Sequence, residues 1–125
     1  MIQIKNFDNN VDFFQQLGNL TITGKIYLLF VFNVPADVEK EFLSCWKKHG
    51  DVMGKFDGYI SEKLHKGING SDVYFNYATW NSLADFKVGF LSPESQACLG
   101  AYPDSCVFMG QILKSIFIEG VCDAD

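Results

Sequence analysis

The chain has 125 residues, enough for one domain, and 48% of them are hydrophobic and 15% aromatic, which is ample material for a buried core. Its net charge of −5, with the lysines scattered along the chain, argues against nucleic acid as a partner. The longest apolar run, residues 26–32, is too short to cross a bilayer, and the N-terminus lacks the pattern of a secretory signal, so we expect a soluble, cytoplasmic protein with no membrane partner.

Residues 1–24 form the least readable part of the chain. They mix Asn, Gln, Gly and Thr around a short apolar piece, VDFFQQL, which could be a helical turn or two or a short strand. Residues 25–34, KIYLLFVFNV, are apolar at both alternating sets of positions, which predicts a strand covered on both faces. We therefore treat residues 1–24 as an N-terminal extension and begin the domain at residue 25.

A helix is predicted to follow Pro35, because the apolar spacing changes there to a helical period. Proline in the first turn and early acidic residues are typical of a helix N-terminus. The apolar side of this helix carries Val38, Phe42, Trp46 and Met53.

Two strands joined by a hairpin are predicted next. Gly58 marks a turn, residues 59–66 can form a strand, and residues 73–79, VYFNYAT, form another. Between them, Asn69-Gly70 is a strong hairpin signal, because both central residues of a type I′ turn need positive φ.

A second helix and a final strand complete the pattern. Ser82, with Asp85 three residues on, resembles a capping box that opens a helix with Leu83, Phe86 and Phe90 on its apolar side. Ser92-Pro93-Glu94 either breaks this helix or begins a short further one. After the loop at residues 101–105, the segment 107–120 contains a fourth strand. We place Ile112, Lys114, Ile116 and Ile118 on one face of that strand and Leu113, Ser115 and Phe117 on the other.

The element order βαββαβ predicts an α+β, ferredoxin-like fold, with an antiparallel sheet and both helices on one face. The other sheet face would be bare, yet the first and third strands are apolar or aromatic on both faces. Such a patch is larger than soluble monomers usually expose. A homodimer that packs sheet to sheet, as a dimeric α/β barrel, would cover it.

The chain resembles the antibiotic biosynthesis monooxygenase (ABM) family of dimeric α+β barrels. The resemblance is carried by VFNVPADVEKEFLSCWKK, FNYATWNSLADF and SPESQACLGAYPD, and its most specific element is N-x-x-x-W-x-S, here Asn76, Trp80 and Ser82. It covers roughly residues 25–118. We accordingly predict an ABM-like domain over residues 25–119 and a tail over residues 120–125.

The resemblance implies a pocket between sheet and helices, and an oxygenase that acts on an aromatic, quinol-like or polyketide small molecule with O2 and uses no metal, flavin or haem. The substrate would be deprotonated, and its carbanion would react directly with O2. Carried over by position, Asn76 would hydrogen-bond the substrate oxygen and Trp80 would contact the bound ring. Asn76 could instead be satisfied by neighbouring backbone, and Trp80 could equally be a core anchor.

The remaining candidate residues are assigned by strand parity and by helix face. His65 could act as general base if it faces the pocket, since an imidazole suits proton abstraction near neutral pH; it could also sit at a surface edge. Tyr74 shares the strand face of Asn76 and would line the pocket as a substrate-binding residue, whereas Tyr77 points the other way, towards a dimer partner. Four further residues would bind substrate as apolar walls: Phe86, Phe90, Phe42 and Trp46.

No metal site is expected. The spacing of the cysteines fits neither a redox motif nor a zinc site, so we predict free thiols that pack. The two histidines, His49 and His65, form no metal-binding pattern, and structural roles are the simpler expectation for both.

Two readings of the function remain open at this point. The match at Asn76 and Trp80 favours the oxygenase. Phe86, which stands where anthrone-oxygenating members of the family have tyrosine, and the scarcity of candidate bases favour a non-catalytic barrel that binds a hydrophobic small molecule. An isomerase or hydrolase on the same scaffold is a third possibility.

Overall fold

The computed structural model describes residues 2–123. Met1 of the predicted extension and the last two residues of the predicted tail lie outside them. The strands are β1 (Gln3–Lys5), β2 (Ile26–Asn33), β3 (Tyr59–Lys66), β4 (Val73–Trp80) and β5 (Val107–Leu113). The α-helices are α1 (Phe13–Leu17), α2 (Glu39–Met53), α3 (Leu83–Phe90) and α4 (Pro93–Ala101). A short 3-10 turn, Ala36–Val38, leads from Pro35 into α2.

The strands form one sheet in the order β1-β5-β2-β4-β3. β2 pairs antiparallel with both β4 and β5, β3 pairs antiparallel with β4, and β1 adds to the edge parallel to β5. Without β1, this is the predicted βαββαβ order with its antiparallel sheet. The α+β, ferredoxin-like prediction is therefore confirmed, with an additional edge strand that the sequence did not indicate.

Strand β4 shows how the sheet separates its two faces. Its buried residues alternate with more exposed ones, as a period of two requires. Tyr74, Asn76 and Trp80 are buried on the face that the helices cover, which we call the inner face. On the opposite, outer face, Phe75 and Tyr77 remain 37% and 40% exposed. The helices thus bury one face of the sheet, and it carries the main core.

The local signals at the turn and at the helix ends act as predicted. Asn69 and Gly70 both have positive φ, at 61° and 78°, as a type I′ turn needs. The Ser82 hydroxyl accepts a hydrogen bond from the Asp85 backbone N–H at 3.0 Å and caps α3. Pro93 opens α4 at its first turn, so the short further helix is formed.

The predicted course of the last strand is wrong beyond Leu113. β5 ends there because its partner β2 pairs Tyr27 with Leu113 and begins only one residue earlier. The backbone of Ile112 bonds instead to the side chain of Gln16 on α1. Within residues 2–123, the alternation we placed over residues 114–118 has no neighbouring strand, and Ile118 forms only an isolated bridge with Cys122.

The N-terminal segment packs into the same core as the rest of the chain. Ile2, Phe13 and Leu17 are at most 4% exposed and belong to the central cluster of buried residues. Asp12 and Gln15 form a reciprocal capping box that starts α1. Phe13 is thereby held on the inner side of the sheet, where its ring meets other aromatic rings of the core.

Candidate functional site

A cavity lies between the inner face of the sheet and helices α2, α3 and α4. Most of its wall is apolar or aromatic, contributed by β2, β5 and the helices. Its polar or partly polar lining residues are Trp46, His49, Glu62, Asn76, Trp80 and Tyr102. The cavity measures about 50 Å³, room for only a few water-sized molecules. An aromatic ligand can enter only if side chains of the wall move outward.

Asn76 places an amide group in this apolar surrounding. It lies in the middle of β4, 2% exposed, with Phe30 and Leu64 as its partners on the two neighbouring strands. Its Nδ2 donates a hydrogen bond to Glu62 Oε2 at 3.1 Å. Its Oδ1 is buried and has no partner among the described residues. An unpaired buried acceptor costs about 1–3 kcal/mol, so a hydroxyl that donates to Oδ1 would recover free energy on binding.

Glu62 brings a carboxyl group to the same point from β3. It lies two residues before Leu64 on the strand, so it shares the inner face with Leu64 and reaches the amide of Asn76. Burial raises the pKa of Glu62 above its ordinary value, and the hydrogen bond from Asn76 lowers it in part. Among the described residues that line the cavity, Glu62 is the one carboxylate.

The helix opposite Glu62 leaves room for its carboxylate. Gly50 of α2 lines the cavity, and a Cβ at this position would lie 2.9 Å from Glu62 Oε1. Any side chain at position 50 would therefore push the carboxylate aside. The glycine and the glutamate fit each other across the pocket.

His49 is held as a neutral group in the helical wall. Its Nε2 and the hydroxyl of the fully buried Ser95 are hydrogen-bonded at 2.8 Å, which joins α2 to α4. Burial lowers the pKa of His49 from 6.5 to about 4. Its imidazole is thus uncharged at neutral pH and already engaged with Ser95, which suits a structural role.

An aromatic wall faces the amide of Asn76. The rings of Trp80 and Phe86 meet edge to face with centroids 5.4 Å apart, and Phe86 stacks on Phe90 at 5.3 Å. Trp80 is only 2% exposed and also meets Tyr59 edge to face. Trp80 therefore anchors the core and lines the cavity at once, so both readings of this residue fit its position.

The structure brings together five of the eight predicted site residues around one cavity. They are Asn76, Trp80, Trp46, Phe86 and Phe90.

Phe42 and Tyr74 do not line this cavity. Tyr74 shares the inner face with Asn76, as parity predicts, but its hydroxyl donates to Glu39 and its ring packs on Phe42. Phe42 is fully buried between Tyr74 and Phe32. Both residues belong to the core beyond the end of the pocket.

The assignment of His65 as a candidate catalytic base requires correction. His65 pairs with Phe75 in the β3–β4 register, one residue away from the pair of Leu64 and Asn76. Because successive side chains of a strand point to opposite faces, His65 lies on the outer face. There its ring meets Phe75 edge to face, and it cannot act as a base in the cavity.

Sequence reasoning missed the residue that carries the charge chemistry of the site. A two-residue turn at Asn69-Gly70 would pair Leu64 with Phe75 and so put Glu62 on the outer face. The observed register is shifted by one residue, pairs Leu64 with Asn76 and thereby brings Glu62 to the inner face. That shift, like the packing of α2 against the sheet, is not specified by any local pattern of the sequence.

Within residues 2–123, no group of three or more His, Cys, Asp or Glu side chains is arranged to hold a metal ion. Nor is any helix of that part of the chain long and apolar enough to cross a membrane.

Solved structures with the same fold include an oxygenase and presumed oxygenases. SnoaB, a cofactor-independent oxygenase from Streptomyces nogalater, superposes with a TM-score of 0.70 at 14% identity, over 78% of this chain and 99% of its own. A presumed monooxygenase from Shewanella loihica PV-4 gives 0.65 at 27% identity, with the same coverage. A presumed antibiotic biosynthesis monooxygenase from Caulobacter crescentus CB15 gives 0.62 at 15% identity, over 76% and 92%.

No protein-family model and no curated protein matches the chain by sequence. The structural similarity nevertheless agrees with the resemblance in the sequence. The chain has the fold of the antibiotic biosynthesis monooxygenases.

Proposed function

We propose that this protein is a cofactor-independent monooxygenase that oxidises an aromatic, quinol-like or polyketide small molecule with O2. The observation that carries the proposal is the buried amide of Asn76, whose Oδ1 lacks a partner among the described residues that surround it. The similarity to SnoaB, itself a cofactor-independent oxygenase, supports the same reading.

The reaction requires little chemistry from the protein. A hydroxyl of the substrate loses its proton, and the electron-rich ring carbon of the resulting anion reacts with O2. When a ring CH2 is converted to a carbonyl, one oxygen atom enters the product and the other leaves as water, so atoms and electrons balance without a further reductant. The site must bind the ring, hold the developing anion and exclude water.

Asn76 is suited to hold the reacting oxygen. Before proton loss, the substrate hydroxyl donates to Oδ1. An amide nitrogen carries two hydrogens, and Glu62 occupies one of those on Nδ2. Once the proton has left, the substrate oxygen moves from Oδ1 to the second hydrogen, which stabilises the oxyanion. The rings of Trp80, Phe86 and Phe90 supply an apolar wall for an aromatic substrate.

Oxygen consumption by the metal-stripped protein tests the proposal, with anthrones, quinols and catechols as substrates. We expect Asn76→Leu to lower turnover by about 100-fold or more, as loss of an oxyanion donor does. Asn81→Leu is the matched control: it makes the same change at an exposed residue five positions on and should retain full turnover. Equal turnover of the Asn76→Leu variant and the wild type would refute this role of the amide.

A second candidate function is a non-catalytic barrel that binds a hydrophobic small molecule. Phe86 favours it, because a phenylalanine in the pocket wall cannot carry a proton. In this case the same compounds should raise the melting temperature of the protein without oxygen uptake, and Asn76→Leu should alter only the affinity.

We also propose a homodimer that packs through the outer face of the sheet. Phe75 and Tyr77 are exposed there, and Tyr77 stacks on Tyr27 at 5.7 Å. The Tyr27 hydroxyl is buried without a partner among residues 2–123. An aromatic face of this kind is covered in most soluble proteins, and a second copy of the chain would cover it symmetrically.

Light scattering tests the dimer, which should have about twice the 14.1 kDa chain mass. Tyr77→Lys should yield monomers, because it places a charge in the apolar interface. Val88→Lys, at a 66% exposed position of α3, is the control and should leave the dimer intact. A monomeric wild type at micromolar concentration would contradict the proposal.

A cytoplasmic location is supported by the cysteines. Cys45, Cys98, Cys106 and Cys122 are all free thiols, as is usual in reducing compartments. Fractionation of cells that express the protein tests this location, and recovery in an oxidising compartment would contradict it.

A further inference from the structure

We infer that Glu62 is the general base of the pocket and takes the proton from a substrate hydroxyl that is bound at Asn76 Oδ1. The inference rests on the proposed function for the fate of the anion, but the proton transfer itself needs only a bound phenol or enol. Neither the sequence patterns nor the structural relatives assign a role to this residue.

The geometry of the amide brings the hydroxyl and the base together. The two polar atoms of Asn76 are bonded to one carbon, and Nδ2 holds Glu62 Oε2 at 3.1 Å. A hydroxyl that donates to Oδ1, which has no partner among residues 2–123, therefore binds to the same amide group as the carboxylate. Because Gly50 carries no Cβ, which would lie 2.9 Å from Oε1, the carboxylate can occupy this place beside the amide.

The other titratable groups of the pocket are poorly suited to the task. His49 has its Nε2 engaged with Ser95, and its lowered pKa of about 4 makes it a weak base. Burial raises the pKa of Tyr102 above its ordinary value, so its phenol stays protonated. His65 lies on the other face of the sheet. Glu62 is the group that remains.

The proton step balances within the site. The substrate hydroxyl turns its hydrogen from Asn76 Oδ1 to the carboxylate of Glu62. The O–H bond then breaks, its electron pair stays on the substrate oxygen, and a new O–H bond forms on the carboxylate. No oxidant takes part until the anion meets O2. Burial raises the pKa of Glu62, which brings it nearer to that of a phenol and makes it a stronger base than a solvated carboxylate.

The pH dependence of this step depends on the groups that face Glu62. They are His49 from α2, Tyr59 from the same strand and Tyr102 beyond α4, all uncharged at neutral pH. Strand β4 contributes Asn76, which does not titrate. Glu62 therefore accounts for an acidic limb of kcat/KM: activity falls as the pH drops through its raised pKa.

Glu62→Gln tests the role, because Gln retains the shape and an oxygen that can accept from Asn76. General base catalysis typically contributes about 100- to 10,000-fold, so we expect kcat/KM to fall by that factor and its acidic limb to disappear. The affinity for substrate, measured without O2, should change by no more than about threefold. Gln keeps the hydrogen bond from Asn76, and a threefold change in affinity is less than the roughly 1 kcal/mol that one hydrogen bond contributes. Glu119→Gln, the same change at an exposed position, should behave as wild type.

A second measurement separates this inference from the proposed function. 4-Nitrophenol is bound under nitrogen, and its absorbance reports whether the bound phenol is ionised. In the wild type, part of the bound phenol should absorb as phenolate at a pH at which free 4-nitrophenol is neutral. In Glu62→Gln all of it should absorb as the neutral phenol.

The outcomes are distinct. If the wild type ionises the bound phenol but consumes no O2 with any substrate, Glu62 is a base and the oxygenase proposal fails. If the wild type and Glu62→Gln give the same spectrum, or if oxygen uptake is unaffected by the substitution, the inference is overturned. Failure of the wild type to bind any phenol overturns it as well, since no hydroxyl then reaches Asn76.

Discussion

Replacing Phe13 with alanine should strongly destabilise the fold, although this residue lies in the segment that the sequence left unassigned. Phe13 is 2% exposed, and its ring meets the rings of Phe30, Phe86, Phe90 and Phe108 at centroid distances between 5.5 and 6.3 Å. Burying a Phe side chain contributes about 1.5–3 kcal/mol to the stability of the folded state. With the cavity that truncation leaves, the expected loss is about 3–5 kcal/mol.

Urea denaturation of Phe13→Ala measures this loss as a change in the free energy of unfolding. A matching decrease of the melting temperature of roughly 12–20 °C is expected for a domain of this size. Phe14→Ala is the matched control: Phe14 is the next residue of α1 but is 48% exposed, so we expect a loss below about 1 kcal/mol. If Phe13→Ala lost no more than Phe14→Ala, α1 would not be part of the core.

Further predictions concern the titration of His49 and the replacement of two glycines. The pKa of His49 is lowered to about 4 in the folded state, so on acidification the imidazole is protonated in the unfolded state first. The free energy of unfolding therefore decreases by about 2 kcal/mol between about pH 7 and about pH 5. In His49→Gln this part of the decrease should vanish. If urea denaturation gave the same decrease for the wild type and for His49→Gln, the lowered pKa would be contradicted. Gly58→Ala should cost more than about 1 kcal/mol, because Gly58 has φ of +89° and a Cβ there would lie 2.3 Å from Asp85 Oδ2. Gly100→Ala, within α4 and with open space around it, should instead stabilise by up to about 1 kcal/mol; thermal melts of both variants decide.

The parts of the fold that could be predicted are those that local chemistry specifies. Asn69-Gly70 requires positive φ at two consecutive residues, and Ser82 caps a helix with its own hydroxyl, so a hairpin and a helix start follow directly from residue type. β1 was missed because it has only three residues and pairs with a strand more than 100 positions away. Its formation depends on tertiary packing, which a local pattern does not reveal.

The candidate site divides in the same way. Asn76 was found because it belongs to the N-x-x-x-W-x-S element of the family resemblance, and an amide in the middle of an apolar strand also goes against strand propensity. Glu62 was missed because β3 carries many charged residues, and a glutamate there looks like any solvated side chain. Only the register of β3 against β4 places Glu62, rather than Lys63, on the inner face.

The pair of Asn76 and Glu62 is costly for stability. A partly buried carboxyl group and a buried amide oxygen that has no partner within residues 2–123 both favour unfolding, whereas apolar side chains in their place would pack into the aromatic wall of the cavity. A hydrogen bond between the two groups offsets part of this cost but leaves Oδ1 unsatisfied. A core selected for stability alone has no use for such a pair. Its presence in a cavity whose wall is mostly apolar is the strongest physical argument that the cavity binds a molecule with a hydroxyl group to donate.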